Sequence, residues 1–352
     1  MPRAVPIVLG LVALALAAPA RARDGFVDPL DEPSAVSPLA PRRLLNAAAF
    51  AGQRMVAAGQ RGHIVFSDDQ GKTWTQADVP VSSDLTALSF PSSQRGWAVG
   101  HDGVVLATAD GGRTWTRQLD GRGISTLLAK AAVANGVPDA VREQLAFLVK
   151  QGADLPLLDV WFDDEKSGTA VGAFNLILHT EDGGTTWTPW LDRAENPKAL
   201  HLYAVRRAAG ALWIAGEQGL VLKLEPATRR FVPCPTPYAG SFFGVTGNDQ
   251  AVLVFGLRGN VLRSHDRGAT WQKVETGLEV AITGGAPAGD GRLVLASASG
   301  QVLVSKNDGE SFSALANARP MPTSAVASDG STLALVGVLG ARVEALKQET
   351  KQ

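Results

Sequence analysis

Short apolar runs that stop at a glycine-rich turn recur along the chain: MVAAGQRG, GWAVGHDG, GTAVGAFN, LWIAGEQG, VLVFGLRG, LVLASASG and LALVGVLG. Aligned on the first turn position they fall at 59, 100, 172, 216, 256, 297 and 337, so the steps are 41, 72, 44, 40, 41 and 40 residues. One step therefore carries an insertion of about 30 residues. Within a unit the apolar positions form four short runs, which in the second unit are DLTALSF, GWAVG, GVVLAT and TWTRQL, parted by Gly- and Asp-rich turns. Four short strands per repeat at this period predict a β-propeller blade, and seven units predict an all-β, seven-bladed β-propeller of four-stranded blades.

A second, polar pattern runs in phase with the first. S/T-x-D-x-G-x-T-W occurs around Asp69, Asp110, Asp182 and Asp266, with a weaker copy around Asn307. One copy alone, DDQGKTW at residues 68–74, looks like a metal or phosphate loop. Ca²⁺ needs six to eight oxygens, and each copy offers one regular Asp and a hydroxyl. A phosphate loop needs a helix after the glycine, and a strand follows. Repetition in five units favours a structural turn between the third and fourth strands, with the Asp bonding its own backbone and the Trp packing on the blade.

The extra residues, RGISTLLAKAAVANGVPDAVREQLAFLVKQGADLP, lie between the second and third units. Their periodicity predicts a small helical insertion over 120–155, with Leu127, Leu128 and Ala132 on one helix and Val141, Leu145, Leu148 and Val149 on another, ended by Gly152. Such short helices need a surface to pack on. The propeller itself is read as 44–352; its fourth unit has lost the acidic turn, reading LKLEPATRRF, and its seventh stops at ARVEALKQETKQ without a fourth strand. Residues 23–43, with the segment PSAVSPLAPRRLL that begins in them at Pro33, are expected to supply that strand and close the ring.

The repeated polar turn is the Asp-box of the bacterial neuraminidase (BNR) repeat. The whole unit, AVGxxGxIxxSxDxGxTW, resembles the photosystem II assembly and stability factor family over roughly residues 44 to 347. That resemblance implies an exported propeller that binds protein partners during assembly of a membrane complex. Proteins of this type also occur in non-photosynthetic bacteria, sometimes encoded alongside RND-type (MMPL-like) exporters, so such an exporter is the sharpest form of the expected partner. The helical insertion, the degenerate fourth unit and the N-terminal segment are departures from the family pattern.

Blade geometry sorts the side chains into two faces. Loops between the second and third strands share one end with the connections between blades, and the Asp-boxes lie at the other. The candidate partner-binding face therefore carries the Gly-turn residues Arg61, His101, Asp102, Phe174, Asn175, Glu217, Gln218 and Arg258, which vary while their frame is constant. Tyr238 and Phe242, in PTPYAGSFFGV, join them as aromatic anchors, with Phe243 read as opening the next inner strand.

Composition narrows the function. The formal net charge is −1 with both signs interspersed, which is not the concentrated basic surface that nucleic acid requires. The chain opens MPRAVPIVLGLVALALAAPARARDGF, read as a cleaved signal peptide over 1–22 that directs the chain to the periplasm, with a retained anchor as the alternative. The apolar run is short for a membrane span, so association with a membrane would be peripheral. Cys234 has no partner cysteine, so stability must come from the packed core.

No catalytic set emerges. A sialidase would need an arginine triad and a Tyr nucleophile with a Glu partner. The chain has two tyrosines, Tyr203 and Tyr238, with no Glu in a repeat-equivalent position, and Arg61 and Arg258 lack a third turn arginine. The five histidines are scattered without metal-ligand spacing. We expect no metal, no cofactor, no catalysis and a monomeric chain, with binding of a lipid or sugar at the propeller top as a further alternative.

Overall fold

The computed structural model describes residue 25, residues 27–316 and residues 320–346; the expected signal peptide at 1–22 lies outside them. Seven antiparallel sheets are arranged in a ring, each with its strands in sequence order. The first strand of each blade faces the axis: Leu45–Ala51, Leu85–Ser89, Leu157–Phe162, Leu202–Ala208, Phe242–Gly247, Ile282–Pro287 and Thr323–Ser328. Each contacts the first strand of the next blade, and the last contacts the first. The second strands, such as Gly96–Gly100 and Gly168–Gly172, are buried on both faces. That is why they read as continuous apolar runs instead of alternating ones.

The core is a set of seams between blades. At the seam of blades 2 and 3, Trp97 stacks on Phe162 with ring centroids 3.5 Å apart and planes 6° apart. Trp187 meets Phe162 edge-on at 6.0 Å. A Cβ on Gly168 would lie 2.4 Å from the Phe162 ring, so the small residue at that strand start makes room for the stack.

Six sheets have four strands and the seventh has three, Thr323–Ser328, Thr332–Gly337 and Gly340–Ala345. The closing strand expected within 23–43 is a misreading: the described residues there form one 3₁₀ turn, Ala40–Arg42, and no strand. Pro29, Pro33, Pro38 and Pro41 deprive the segment of ladder donors, which suits an irregular strap better than a strand. The ring closes side by side instead, with Leu45, Ala57 and Val65 of blade 1 packed against Val336 of blade 7 and Ala40 of the strap.

The insertion forms two helices between blades 2 and 3, α1 (Gly121–Ala132) and α2 (Asp139–Gln151). Asp120 caps α1 by accepting from the N–H groups of Arg122 and Gly123. Ile124, Leu128, Leu145 and Leu148 are buried in one cluster with Trp97, Leu157 and Leu176, so the helices are packed onto the propeller.

The Asp-boxes are closed hydrogen-bond knots. Asp69 Oδ1 accepts from Ser67 Oγ at 2.8 Å and Thr73 N at 2.9 Å, Oδ2 accepts from Thr73 Oγ1 at 2.6 Å, and Ser67 Oγ accepts from Gly71 N at 2.8 Å. The same bonds recur at Asp110, Asp182 and Asp266. At Asn307 the amide oxygen accepts from Ser305 Oγ and Ser311 N, and the amide nitrogen donates to Ser311 Oγ. In the four Asp turns both carboxylate oxygens are thus engaged.

Donation from the Thr73 hydroxyl, then from its N–H, lowers the Asp69 pKa to about 2. Asp182 and Asp266 are lowered by the equivalent threonine bonds. A carboxylate held below its unfolded value stabilises the fold above that value and loses this contribution as pH falls through the folded pKa. A first loss of thermal midpoint is expected as pH falls from about 6.5 to 4, because burial lowers the His179 pKa to about 4, and a further drop between about 4 and 2 comes from the Asp-boxes. Asp69→Asn should make that drop shallower in a circular-dichroism melting series, whereas an unchanged acid limb would show that the boxes do not set it.

Candidate protein-binding face

Five Gly turns share one strained backbone. Their central residues, Arg61, Asp102, Phe174, Gln218 and Arg258, have φ of 54°, 57°, 54°, 52° and 56°. This left-handed region costs a non-glycine residue roughly 1–2 kcal/mol. The residue that follows must leave room for the next blade connector, since a Cβ on Gly219 would lie 1.9 Å from the Tyr238 carbonyl oxygen. Blade 3 carries Asn175 there instead, φ 63°.

The ten candidate residues separate on burial. Arg61, His101, Gln218 and Arg258 are exposed, while Asp102, Phe174, Glu217 and Tyr238 are half-buried. Two of the ten are corrected. Asn175 is buried, donating to Leu191 O at 3.4 Å and accepting from Asn196 Nδ2 at 3.1 Å. Phe242 is buried between blades 4 and 5 with Trp213 and Val254, because it begins the inner strand and points outward from the axis. Strand alternation then turns Phe243 into the axial channel. Asp102 is engaged locally, accepting from Ser83 Oγ at 2.6 Å.

Phe174 seats the insertion. Its ring meets Phe147 of α2 at 5.4 Å and His201 at 4.6 Å, and its carbonyl accepts from Gln144 Nε2. The N-terminal strap lies on the same face, with Ser34 Oγ donating to Arg61 O and Ser82 N donating to Pro29 O. Arg122 of α1 holds it through Asp28 and Asp31, each at 2.7 Å.

The axial channel has a volume of about 200 Å³ and is lined by all seven inner strands, with Asn46, Thr86, Tyr203, Arg206, Phe243 and Thr283 among its walls. Arg206 is the one arginine in its lining; Arg61 and Arg258 do not line it. Arg206 Nη1 donates to Asp159 Oδ2 at 2.5 Å.

Sequence spacing missed a Tyr–Glu pair: Tyr203 Oη donates to Glu217 Oε1 at 3.4 Å. Burial, then the Glu217 charge, raises the Tyr203 pKa, the wrong direction for a nucleophilic phenolate. Burial likewise pushes the Cys234 thiol up, as for an inert core cysteine.

Two grooves flank the blade 3 to 4 connector at Glu195–Pro197. One of about 530 Å³ reaches Tyr238, and one of about 610 Å³ runs beside α2. Apolar exposure is concentrated on this side of the ring. Val27, Val36 and Leu39 lie in the strap, Val133 and Phe147 in the insertion, Leu257, Val338 and Leu339 in Gly turns, and Val280 in a connector. Among the described residues these are all the exposed large apolar side chains, and none is in an Asp-box or its neighbouring loops.

Comparison with known proteins agrees with this architecture. The family model for the photosynthesis system II assembly factor YCF48 matches residues 66–127 and 143–312. The photosystem II assembly lipoprotein Ycf48 of Synechococcus sp. (strain CC9902) is 26% identical over 157 residues, 44% of this chain and 47% of that relative. The chain thus matches about half the length of that relative. The structure of YCF48 bound to D1 peptide superposes with a TM-score of 0.64 at 15% identity, covering 88% of this chain and 95% of that one. YCF48 from Cyanidioschyzon merolae gives 0.62 at 16% identity, covering 89% and 98%. The WD40 propeller of Doa1 gives 0.64 at 8% identity, covering 87% and 94%, so these superpositions speak to the fold alone. With most of its length matched by the family model, the chain belongs to the photosystem II assembly factor YCF48 family of BNR-repeat β-propellers.

Proposed function

We propose that this protein is a non-catalytic, exported scaffold that holds a protein partner on its Gly-turn face, in the service of a membrane complex. The observation that carries the reading is the one-sided distribution of exposed apolar side chains, with Leu339 at 65% and Val338 at 53% exposure on adjoining turn positions. Exposed apolar side chains gathered on one face and missing from the other favour that face as the partner site. The D1 peptide held by a solved YCF48 supports protein binding as the mode. The description of the Synechococcus relative as a lipoprotein supports export. An RND-type exporter is the partner we propose, on the resemblance to family members encoded beside such exporters.

A photo-cross-linking residue placed in cells at Leu257 or Leu339 is expected to give discrete protein adducts, and one at Lys72 or Thr185, on the Asp-box face, none. Adducts from the Asp-box positions with none from the turns would reverse the face. Identification of the adduct as an exporter subunit would support the finer reading, and a different membrane protein would replace it.

A further inference from the structure

One carboxylate on this face has no cationic partner. Glu217 sits in the blade 4 Gly turn, half-buried, and makes no ion pair among the described residues. Its Oε2 accepts from the His201 N–H at 2.9 Å. The partner of Oε1 is the Tyr203 hydroxyl at 3.4 Å, beyond the 2.5–3.0 Å range of a good O–H···O bond. A carboxylate offers about four acceptor sites, so Glu217 retains acceptor capacity.

Aromatic rings line up beside it. Phe147 meets Phe174 at 5.4 Å, Phe174 meets His201 at 4.6 Å, His201 meets Tyr203 at 6.4 Å, and Tyr203 meets Phe243 at 5.8 Å. The row runs from α2 to the channel wall and passes Glu217 at Tyr203. The Tyr203 and Phe243 planes lie 77° apart, forming a corner whose two rings also border the axial cavity. Ring faces attract a cation within about 6 Å, and a half-buried carboxylate beside them adds a charge-assisted bond. The opposite arrangement stands deeper in the channel, where Arg206 is already neutralised by Asp159. The two charged groups of the channel lining thus pair with each other, and the unpaired charge beside Tyr203 is that of Glu217.

Resting on the reading of this face as a partner site, we propose that the channel mouth beside Glu217, Tyr203 and Phe243 is a receptor for a basic side chain, arginine or lysine, of the protein partner. Glu217 takes the charge, and the two rings take the flat or methylene surface behind it.

The test is an NMR titration of the full chain with acetyl-Gly-Arg-Gly amide, with the citrulline peptide as a neutral isostere. Weak saturable binding of the arginine peptide is expected, at least about tenfold tighter than the citrulline peptide, as charge-assisted bonding and cation–π attraction together imply. Glu217→Gln should remove most of that difference, and Phe243→Leu should weaken the arginine peptide several-fold with an unchanged melting temperature. Equal binding of the two peptides, or full arginine binding by Glu217→Gln, would overturn the proposal. Adducts from Leu257 and Leu339 that persist in Glu217→Gln would then leave the scaffold reading standing, so the two failures are separable.

Discussion

Phe162→Ala is expected to lower the unfolding free energy by about 3–5 kcal/mol, the range for truncating a fully buried aromatic. Phe162 is 2% exposed and has two ring partners, Trp97 stacked at 3.5 Å and Trp187 edge-on at 6.0 Å. Removing it leaves a ring-sized void at the blade 2 to 3 seam. Neighbouring blades cannot close over that void, because each is fixed by its other seam and by its ladder. The Trp97 indole is tethered as well, with Nε1 donating to Gln118 Oε1 while Gln118 Nε2 reaches Gly183 O of the next blade. Urea denaturation at neutral pH followed by tryptophan fluorescence measures the loss. Phe162→Leu, which keeps most of the volume, should cost less than half as much. A loss under about 1 kcal/mol for the alanine variant would mean that the seam relaxes and that the stack contributes little.

Asp159→Ala should be nearly as damaging, at about 3 kcal/mol, the lower end for removing one partner of a buried ion pair. Its carboxylate is 6% exposed and links two inner strands: Oδ1 accepts from Val160 N at 2.9 Å, and Oδ2 accepts from Val205 N at 2.8 Å and Arg206 Nη1 at 2.5 Å. Without it, two strand N–H groups and a guanidinium lose their acceptor. The guanidinium is still 31% exposed, which is why the low end applies. In a double-mutant cycle, Asp159→Ala with Arg206→Ala should be less destabilised than the sum of the single variants, since the orphaned charge is gone. Strict additivity would show that Asp159 acts through the backbone donors alone. These two residues also set the polarity of the channel, so the peptide titration should be read on variants that leave them intact.

Much of the candidate site was legible and some of it was not, for local reasons. The turn positions were found because the left-handed backbone forces the same spacing in every unit, and burial then removed Asn175 and Phe242. Asn175 is buried because the connector after blade 3 folds back over it, with Asn175 N donating to Leu200 O. Phe242 and Phe243 are adjacent in sequence and opposite in fate, since a one-residue difference in strand phase selects core or channel. Glu217 and Tyr203 were not linked by any pattern. They are 14 residues apart on different elements, and they meet because the first strand and the following turn of one blade share a rim.

The sequence by itself determined the fold: a period of about 41 residues, four apolar runs per period and an in-phase Asp-box leave a seven-bladed propeller as the architecture that buries every run. It also pointed to the Asp-boxes as structural, since a residue pattern repeated in five units is a constraint on the chain and not a single site. The tertiary structure alone decided how the ring closes. The sequence offered a free segment and a missing strand, and only packing showed that the proline-bearing strap runs along blades 1 and 2, reaching blade 7 at Ala40, while the ring shuts through Leu45, Val65 and Val336. It alone decided where the polar and apolar groups converge, because side chains from different blades become neighbours only when the ring is complete. Periodicity records contacts within a blade, and the binding face is made of contacts between blades.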